Sequence, residues 1–223
     1  MGKAIELVYR DELSTDQKQE DETTVNLSSS DAREIFWLAR YLTRIQYVCQ
    51  QFPFKQNDAA LTYAHAFCLP AFDAASLNEL ILNEEQPASF VMQLEQTQRK
   101  IKNLAQVFSK STYAELKHCI QNACDNASYI GEVLQDCEAL LDAEPQQIYL
   151  FFQLGQRIEQ LDRQIRLKQS TEKTLLQLEM IVQCLKDLGW TSLVDAWVEL
   201  KQQPDTMHFY HFSDHIQHLL SVD

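Results

Sequence analysis

Glycine is scarce in this chain of 223 residues. Its four glycines lie far apart, at Gly2, Gly131, Gly155 and Gly189, so no two of them could build a loop that cradles a phosphate group. This spacing excludes a Walker loop, a G-x-G-x-x-G dinucleotide turn and a G-x-S-x-G nucleophile elbow. The sequence therefore lacks the glycine signatures of common nucleotide-binding proteins and of serine hydrolases.

The sequence also has few positively charged residues and no long run of apolar residues. Lys and Arg number 19 against 32 Asp and Glu, which gives a formal net charge of −13. Nucleic acids and anionic membranes both select clustered basic residues, so we expect neither as a partner. No stretch approaches the roughly 20 apolar residues of a membrane-spanning helix, and no secretory signal pattern opens the sequence. We therefore predict a cytoplasmic protein.

The six cysteines form no C-x-x-C pair. In a cytoplasmic chain they are expected to be reduced and mostly buried. Cys119 and Cys124 are five residues apart, and His118 is adjacent to Cys119. No convincing arrangement of a base with a nucleophile follows from these positions. We predict no catalytic residue and no cofactor on this basis.

Apolar residues recur at a spacing of three to four along most of the chain, and the prolines mostly fall between these stretches. This pattern predicts an all-α fold, with residues 1–28 as an acidic, flexible tail and residues 29–223 as one helical-bundle domain. Within the tail, the segment AIELVY could pair as a short strand. Asp31 with Glu34 predicts a capping box for the first helix, and Pro87 predicts the start of the fourth. We expect helices at about 31–51, 57–69, 71–83, 87–108, 112–142, 146–169, 171–188, 191–203 and 205–220.

One helical phrase occurs twice. WLARYLTRIQ, which begins at Trp37, resembles QLGQRIEQLD, which begins at Gln153. At a fixed separation of 116 residues, the apolar stripe Leu38, Leu42, Ile45 and Cys49 aligns with Leu154, Ile158, Leu161 and Ile165. The repetition predicts an internally duplicated helical bundle, with related helices at about 31–51 and 146–169.

The two copies carry different charges. The second has Glu159, Asp162 and Arg166 on a ridge beside its apolar stripe, whereas the first has Arg40 and Arg44. Three interpretations stay open. The charges could form solvated pairs within each helix, such as Asp162 with Arg166. They could pair across the two helices about a pseudo-twofold axis and fix their register, or they could serve an active site. We predict these five residues as a charged binding network.

Three segments resemble the bacterial alpha-E domain family. SDAREIFWLARYLTRIQYVCQ is similar to its opening helix, with the pattern L-G-R-Y-L-E-R-A-E, and FFQLGQRIEQLDRQIRL is similar to its second motif, L-G-R-L-L-E-R-A-D. Between them, LILNEEQPASFVMQLEQTQRKIK resembles the family's N-P-x-S segment, with Pro87 and Ser89 at the motif positions. The resemblance runs from about Asp31 to Lys168.

The sequence departs from the family pattern at several motif positions. Gln86 replaces the Asn of N-P-x-S, and Thr43 replaces the Glu of the first Glu-Arg pair, whose Arg is Arg44. Gln160 replaces the Arg of the second pair, whose Glu is Glu159. The two copies together therefore keep one Arg and one Glu.

The resemblance implies an all-helical, duplicated domain without established catalytic residues. Members of the family are encoded beside, or fused to, circularly permuted ATP-grasp ligases and transglutaminase-like peptidases. The resemblance thus implies a non-catalytic accessory or scaffold protein that supports peptide or amide ligation by binding a protein or peptide. A purely structural homo-oligomer is a second alternative.

The C-terminal segment TMHFYHFSDHIQHLL supports a different hypothesis. His208, His211, His215 and His218 fall on one helix face, and the i, i+4 spacing of His211 and His215 is one that zinc ligands use. The alternative function is therefore a metal-dependent helical enzyme with His211 and His215 as candidate ligands. The preferred interpretation has no metal and places these histidines along the edge of the core; a pH-sensitive contact is the remaining one.

Overall fold

The computed structural model describes residues 27–126 and 129–221, apart from the side chain of Leu134. These residues form helices and no strand, which confirms the predicted all-α fold. The predicted tail at 1–28 and its AIELVY segment lie, except for residues 27 and 28, outside the described part. The helices are α1 (Ser29–Gln51), α2 (Asn57–Ala66), α3 (Ala74–Leu82), α4 (Phe90–Asn103), α5 (Lys110–Asp125), α6 (Ile130–Asp142), α7 (Gln146–Arg166), α8 (Glu172–Asp187), α9 (Leu193–Gln202) and α10 (Thr206–Leu219).

Helices α1 and α7 form the centre of the bundle. Both bury most of the apolar stripe expected from the sequence, namely Ile35, Leu38, Leu42 and Ile45 on α1 and Leu154, Ile158 and Leu161 on α7. The last members of the two stripes, Cys49 and Ile165, are half-buried against the core. Gly155 lies against Ala39 near the start of the contact, and Arg163 lies against Tyr47 further along. Because the contacts advance together along both helices, α1 and α7 run parallel.

The other helices surround this pair. Helices α4 and α6 pack on α1, and α8 and α10 pack on α7. Helix α5 bridges α4 and α6, α9 bridges α8 and α10, and α3 joins α2 to α4. The buried apolar side chains of these helices form one continuous core. None of the helices in the described ranges is both long and apolar enough to cross a membrane.

Serine residues cap α1 and α4, although the sequence analysis assigned the starts of these helices to Asp31 and Pro87. The hydroxyl oxygen of Ser28, and not the Asp31 carboxylate, caps α1; it accepts a hydrogen bond from the backbone N–H of Asp31 at 3.1 Å. Ser89 caps α4 in the same way, with the N–H of Met92 at 3.2 Å, so Pro87 lies before the helix. In both cases an extended serine brings its short side chain to the third amide of the helix, a geometry that favours serine over most residues.

The helix predicted at 112–142 is two helices. Helix α5 ends at Asp125, Asn126 is extended with φ −149° and ψ 103°, and α6 begins at Ile130. Helices α5 and α6 pack on each other, so that Ile120 of α5 and Cys137 of α6 are both buried. A single straight helix could not bury the apolar residues of both α5 and α6 in one core. The break after Asp125 allows the chain to turn back, so that α6 packs on α5.

Candidate functional site

A buried carboxylate joins the two central helices. Glu159 on α7 is 4% exposed and lies between two arginines of α1 that are one helical turn apart. Arg44 donates two hydrogen bonds to it, from Nε to Oε1 at 2.6 Å and from Nη2 to Oε2 at 2.9 Å. Arg40 donates from Nε to Oε2 at 2.8 Å. A bidentate fork of this kind is among the stronger and more directional contacts in proteins.

A second carboxylate extends these contacts along α7. Asp162 Oδ2 lies 3.7 Å from Nη2 of Arg40, and its Oδ1 accepts a hydrogen bond from Nε of Arg166 at 2.6 Å. Arg166 also donates to the carbonyl oxygen of Ala66 at 3.1 Å and to the hydroxyl of Tyr210. The structure thus brings all five sequence-predicted residues into one ion-pair network. It contains both cross-helix pairs and the pair within α7.

The network holds its carboxylate in the charged form. Burial acts to raise the pKa of Glu159, but the charges and hydrogen bonds of Arg44 and Arg40 outweigh it and leave that pKa below its ordinary value. Burial likewise acts to lower the pKa of Arg44, and the nearby Glu159 carboxylate more than compensates, so the pKa of Arg44 is raised. The ionised pairs are therefore the stable state at neutral pH.

A fourth arginine of the site was not predicted from the sequence. The guanidinium carbon of Arg163 lies 4.0 Å from the centroid of the Tyr47 ring, and Tyr47 in turn stacks on Tyr63 of α2 at 6.0 Å. Burial lowers the pKa of Arg163. Tyr47 and Arg163 are separated by the same 116 residues as the two helical phrases. Matching charged and aromatic residues at that separation would have identified the pair.

A cavity of about 310 Å³ opens beside the ion-pair network. It is lined by three charged residues, Arg44, Asp162 and Arg166, and by apolar residues of α1, α3 and the segments that follow α2 and precede α4. Apart from the three charged residues, the cavity is lined by Val48, Tyr63, Phe67, Leu69, Ile81, Pro87, Ala88 and Gln93. Because Pro87 and Ala88 belong to the N-P-x-S-like segment, residues from all three segments that carry the family resemblance meet at this cavity.

Gln93 is a polar residue of the cavity that sequence reasoning missed. Its side chain belongs to the first turn of α4, and its Nε2 donates to the carbonyl oxygen of Ala88 at 3.0 Å. The residue is 5% exposed, and its buried Oε1 has no hydrogen-bond partner among the residues that the structure describes. Its position four residues after the helix-capping Ser89 is the sequence signal that places it near the motif.

The C-terminal histidines lie on α10, whose Tyr210 accepts a hydrogen bond from Arg166 of the ion-pair network. Nδ1 of His208 is 2.8 Å from Oδ1 of Asp205, and Nδ1 of His211 is 3.2 Å from Oε2 of Glu199. His215 contacts the His211 carbonyl oxygen through Nδ1, and the two rings meet edge to face at 4.6 Å. Within residues 27–126 and 129–221, no group of three or more His, Cys, Asp or Glu side chains is placed to hold a metal ion.

The side chains that line the cavity are mostly apolar or engaged in ion pairs. Of the eleven described residues that line it, none is a Ser, Thr, Cys, Lys or His that could act as a nucleophile or a neutral-pH base. Its one carboxylate, that of Asp162, is paired with arginine. Comparisons of this chain with protein-family models, with curated proteins and with solved structures find no match.

Proposed function

We propose that the protein is a non-catalytic accessory or scaffold protein, and that the cavity beside the ion-pair network binds a protein or peptide partner. The observation that carries the proposal is the convergence of three sequence segments on this one cavity. Their resemblance to alpha-E domains supplies the expected class of partner, which is an ATP-grasp ligase or a transglutaminase-like protein.

The mixed lining supports a peptide-like ligand. Arginine donors and a carboxylate line the cavity together with the apolar residues Val48, Phe67, Leu69 and Ile81. Binding pockets typically combine an apolar wall with a few polar groups that fix the orientation of the ligand. A polypeptide segment offers both kinds of surface within one or two residues.

The contact between α1 and α7 supports the internal duplication that belongs to this proposal. Ala39 with Gly155 and Tyr47 with Arg163 are two touching pairs, and each is separated by 116 residues. In two parallel helices related by a twofold axis between them, equivalent positions lie side by side. Such an axis also brings Arg44 on α1 opposite Glu159 on α7.

The test is affinity purification of the tagged protein, expressed at native level, with mass spectrometry of what is recovered. We expect a ligase or transglutaminase-like protein near one-to-one. Ala88→Trp, which places a bulky side chain at a residue that lines the cavity, should abolish its recovery. Ala114→Trp, which places the same side chain on the exposed face of α5, should leave it unchanged.

Two results would contradict the proposal. Recovery of the bait alone from the wild type would remove the partner on which the accessory role depends. Equal recovery by Ala88→Trp and wild type would show that the partner binds elsewhere. Circular dichroism and thermal unfolding of both variants establish that each is folded.

A further inference from the structure

We infer that the cavity binds the free C-terminal carboxylate of a peptide whose last residue is apolar. Arg44 and Arg166 bind the carboxylate, Oε1 of Gln93 accepts a hydrogen bond from the N–H of the last residue, and the apolar wall receives its side chain. The inference rests on the proposed function and specifies the ligand of that site.

The first argument is the local excess of positive charge. The charged residues that line the cavity are Arg44 and Arg166 with Asp162, so their formal charge is +1. The chain as a whole carries −13. Positive charge concentrated in a partly desolvated recess attracts an anion locally, whatever the net charge of the molecule.

The second argument is the donor capacity of Arg44. A guanidinium has five N–H groups, and Glu159 accepts hydrogen bonds from two of those on Arg44. The Arg44 side chain is 34% exposed and lines the cavity. Its remaining donors are therefore available to a second carboxylate, whose planar geometry matches the guanidinium edge.

The third argument is the buried acceptor of Gln93. Its Oε1 has no partner within the described residues, although the residue is 95% buried and lines the cavity. A buried acceptor without a donor destabilises the folded protein, and a hydrogen bond from a ligand N–H would remove this penalty. The N–H of the last residue in a peptide belongs to the same residue as the carboxylate, and Gln93 and Arg44 line the same cavity.

The size and the apolar wall distinguish a peptide end from an inorganic anion. A volume of about 310 Å³ is at the lower end of ligand cavities, which run from about 300 to 1,000 Å³, and suits one or two residues. Phosphate would use the arginines, but it would leave the wall formed by Phe67, Leu69 and Ile81 uncovered. A terminal apolar residue uses both the charged and the apolar lining of the cavity.

The test is isothermal titration calorimetry of the full chain with acetyl-alanyl-alanyl-leucine. We expect the free acid to bind and its C-terminal amide to bind at least about tenfold more weakly, because one charge-assisted contact is lost. Binding should weaken as salt is raised. Gln93→Leu and Arg44→Lys should each lower the affinity, and Arg99→Lys, a surface change on α4 with a side chain 65% exposed, should not.

Three outcomes would overturn the inference. Equal affinity for acid and amide would remove the carboxylate from recognition, and equal competition by inorganic phosphate would reduce the site to a general anion site. Failure of the peptide to bind, while the affinity purification still recovers a partner, would reject the peptide end and keep the accessory role. Binding of the peptide without any recovered partner would instead contradict the accessory role. Thermal unfolding of each variant confirms that it folds.

Discussion

Ala39 and Gly155 meet where α1 and α7 approach each other most closely. A Cβ placed on Gly155 would lie 2.7 Å from Cβ of Ala39 and would collide with the backbone carbonyl oxygen of Phe36. Real Cβ atoms do not approach so closely, and backbone cannot move aside as a flexible side chain can. The glycine at this position therefore sets the distance between the two central helices.

We expect Gly155→Ala to destabilise the protein by about 1–3 kcal/mol, because overpacking of the α1–α7 contact outweighs the higher helix propensity of alanine. Urea unfolding followed by circular dichroism measures the change. Gly131→Ala is the matched control: a Cβ there meets nothing within 4 Å, so this helical change should be neutral or slightly stabilising. Equal effects of the two changes would contradict a tight contact.

Removal of one partner from the buried ion pair should be costly. Glu159→Ala leaves the guanidinium groups of Arg40 and Arg44 without their carboxylate, and we expect a loss of about 3–5 kcal/mol in the free energy of unfolding. Arg44→Ala should cost less, because Arg40 still pairs with Glu159. The double change of Arg44 and Glu159 should cost less than the sum of the single changes by about 0.5–3 kcal/mol.

The pair of Lys201 with Glu179 is the control for this cycle. Its atoms are 2.8 Å apart, but both side chains are nearly half exposed. A solvated pair of this kind contributes about 0.2–1 kcal/mol. Additive effects of Arg44→Ala and Glu159→Ala would contradict their direct coupling.

Glu159→Gln should change the pH dependence of stability. Because the pKa of Glu159 is lower in the folded protein than its ordinary value of 4.5, the ionised group stabilises the fold above that value. This contribution is lost as the pH falls through the folded pKa. The free energy of unfolding of the wild type should exceed that of Glu159→Gln at pH 7, and the difference should shrink on acidification. A difference independent of pH would contradict the pairing.

Cys119 should react faster than Cys124 with iodoacetamide at pH 7. The thiol of Cys137 donates a hydrogen bond to the sulfur of Cys119 and lowers its pKa to about 7, whereas burial raises the pKa of Cys124. The thiolate is the reactive form, so the Cys119 rate should rise with pH through about 7, as measured by peptide mass spectrometry. Cys137→Ala should move this rise to higher pH. Cys184→Ala, a change at an exposed cysteine, should leave the pH dependence of the Cys119 rate as it is in the wild type.

The sequence predicts the helices better than their ends because apolar spacing is a local property that tertiary contacts seldom reverse. The stripe of Leu38, Leu42 and Ile45 is buried as expected. The break after Asp125 was missed because no glycine or proline marks it; Asn126 ends α5 by adopting an extended conformation. Only the packing of α5 on α6 requires that turn.

The charged residues of the site were predictable because the repeated phrase matches the two helices that carry them, although Arg44 and Glu159 are 115 residues apart and not at equivalent positions. Placing Arg44 and Glu159 on matching helices is enough to suggest their pairing. The cavity was not predictable in the same way, since Phe67 and Gln93 come from separate helices whose positions depend on the whole fold. Arg166 links the end of α2 to the network through the Ala66 carbonyl, a backbone atom that no sequence pattern marks.

The parallel arrangement of α1 and α7 has a consequence for biosynthesis. Arg40 and its partner Glu159 are 119 residues apart, and at about 5–20 residues per second the ribosome needs roughly 6–24 s to make the intervening chain. During that time the apolar face of α1 emerges without the helix that will cover it. The nascent protein therefore leaves the part of the α1 face that α7 covers exposed until α7 has been made, and a chaperone that binds apolar helices would act in that interval.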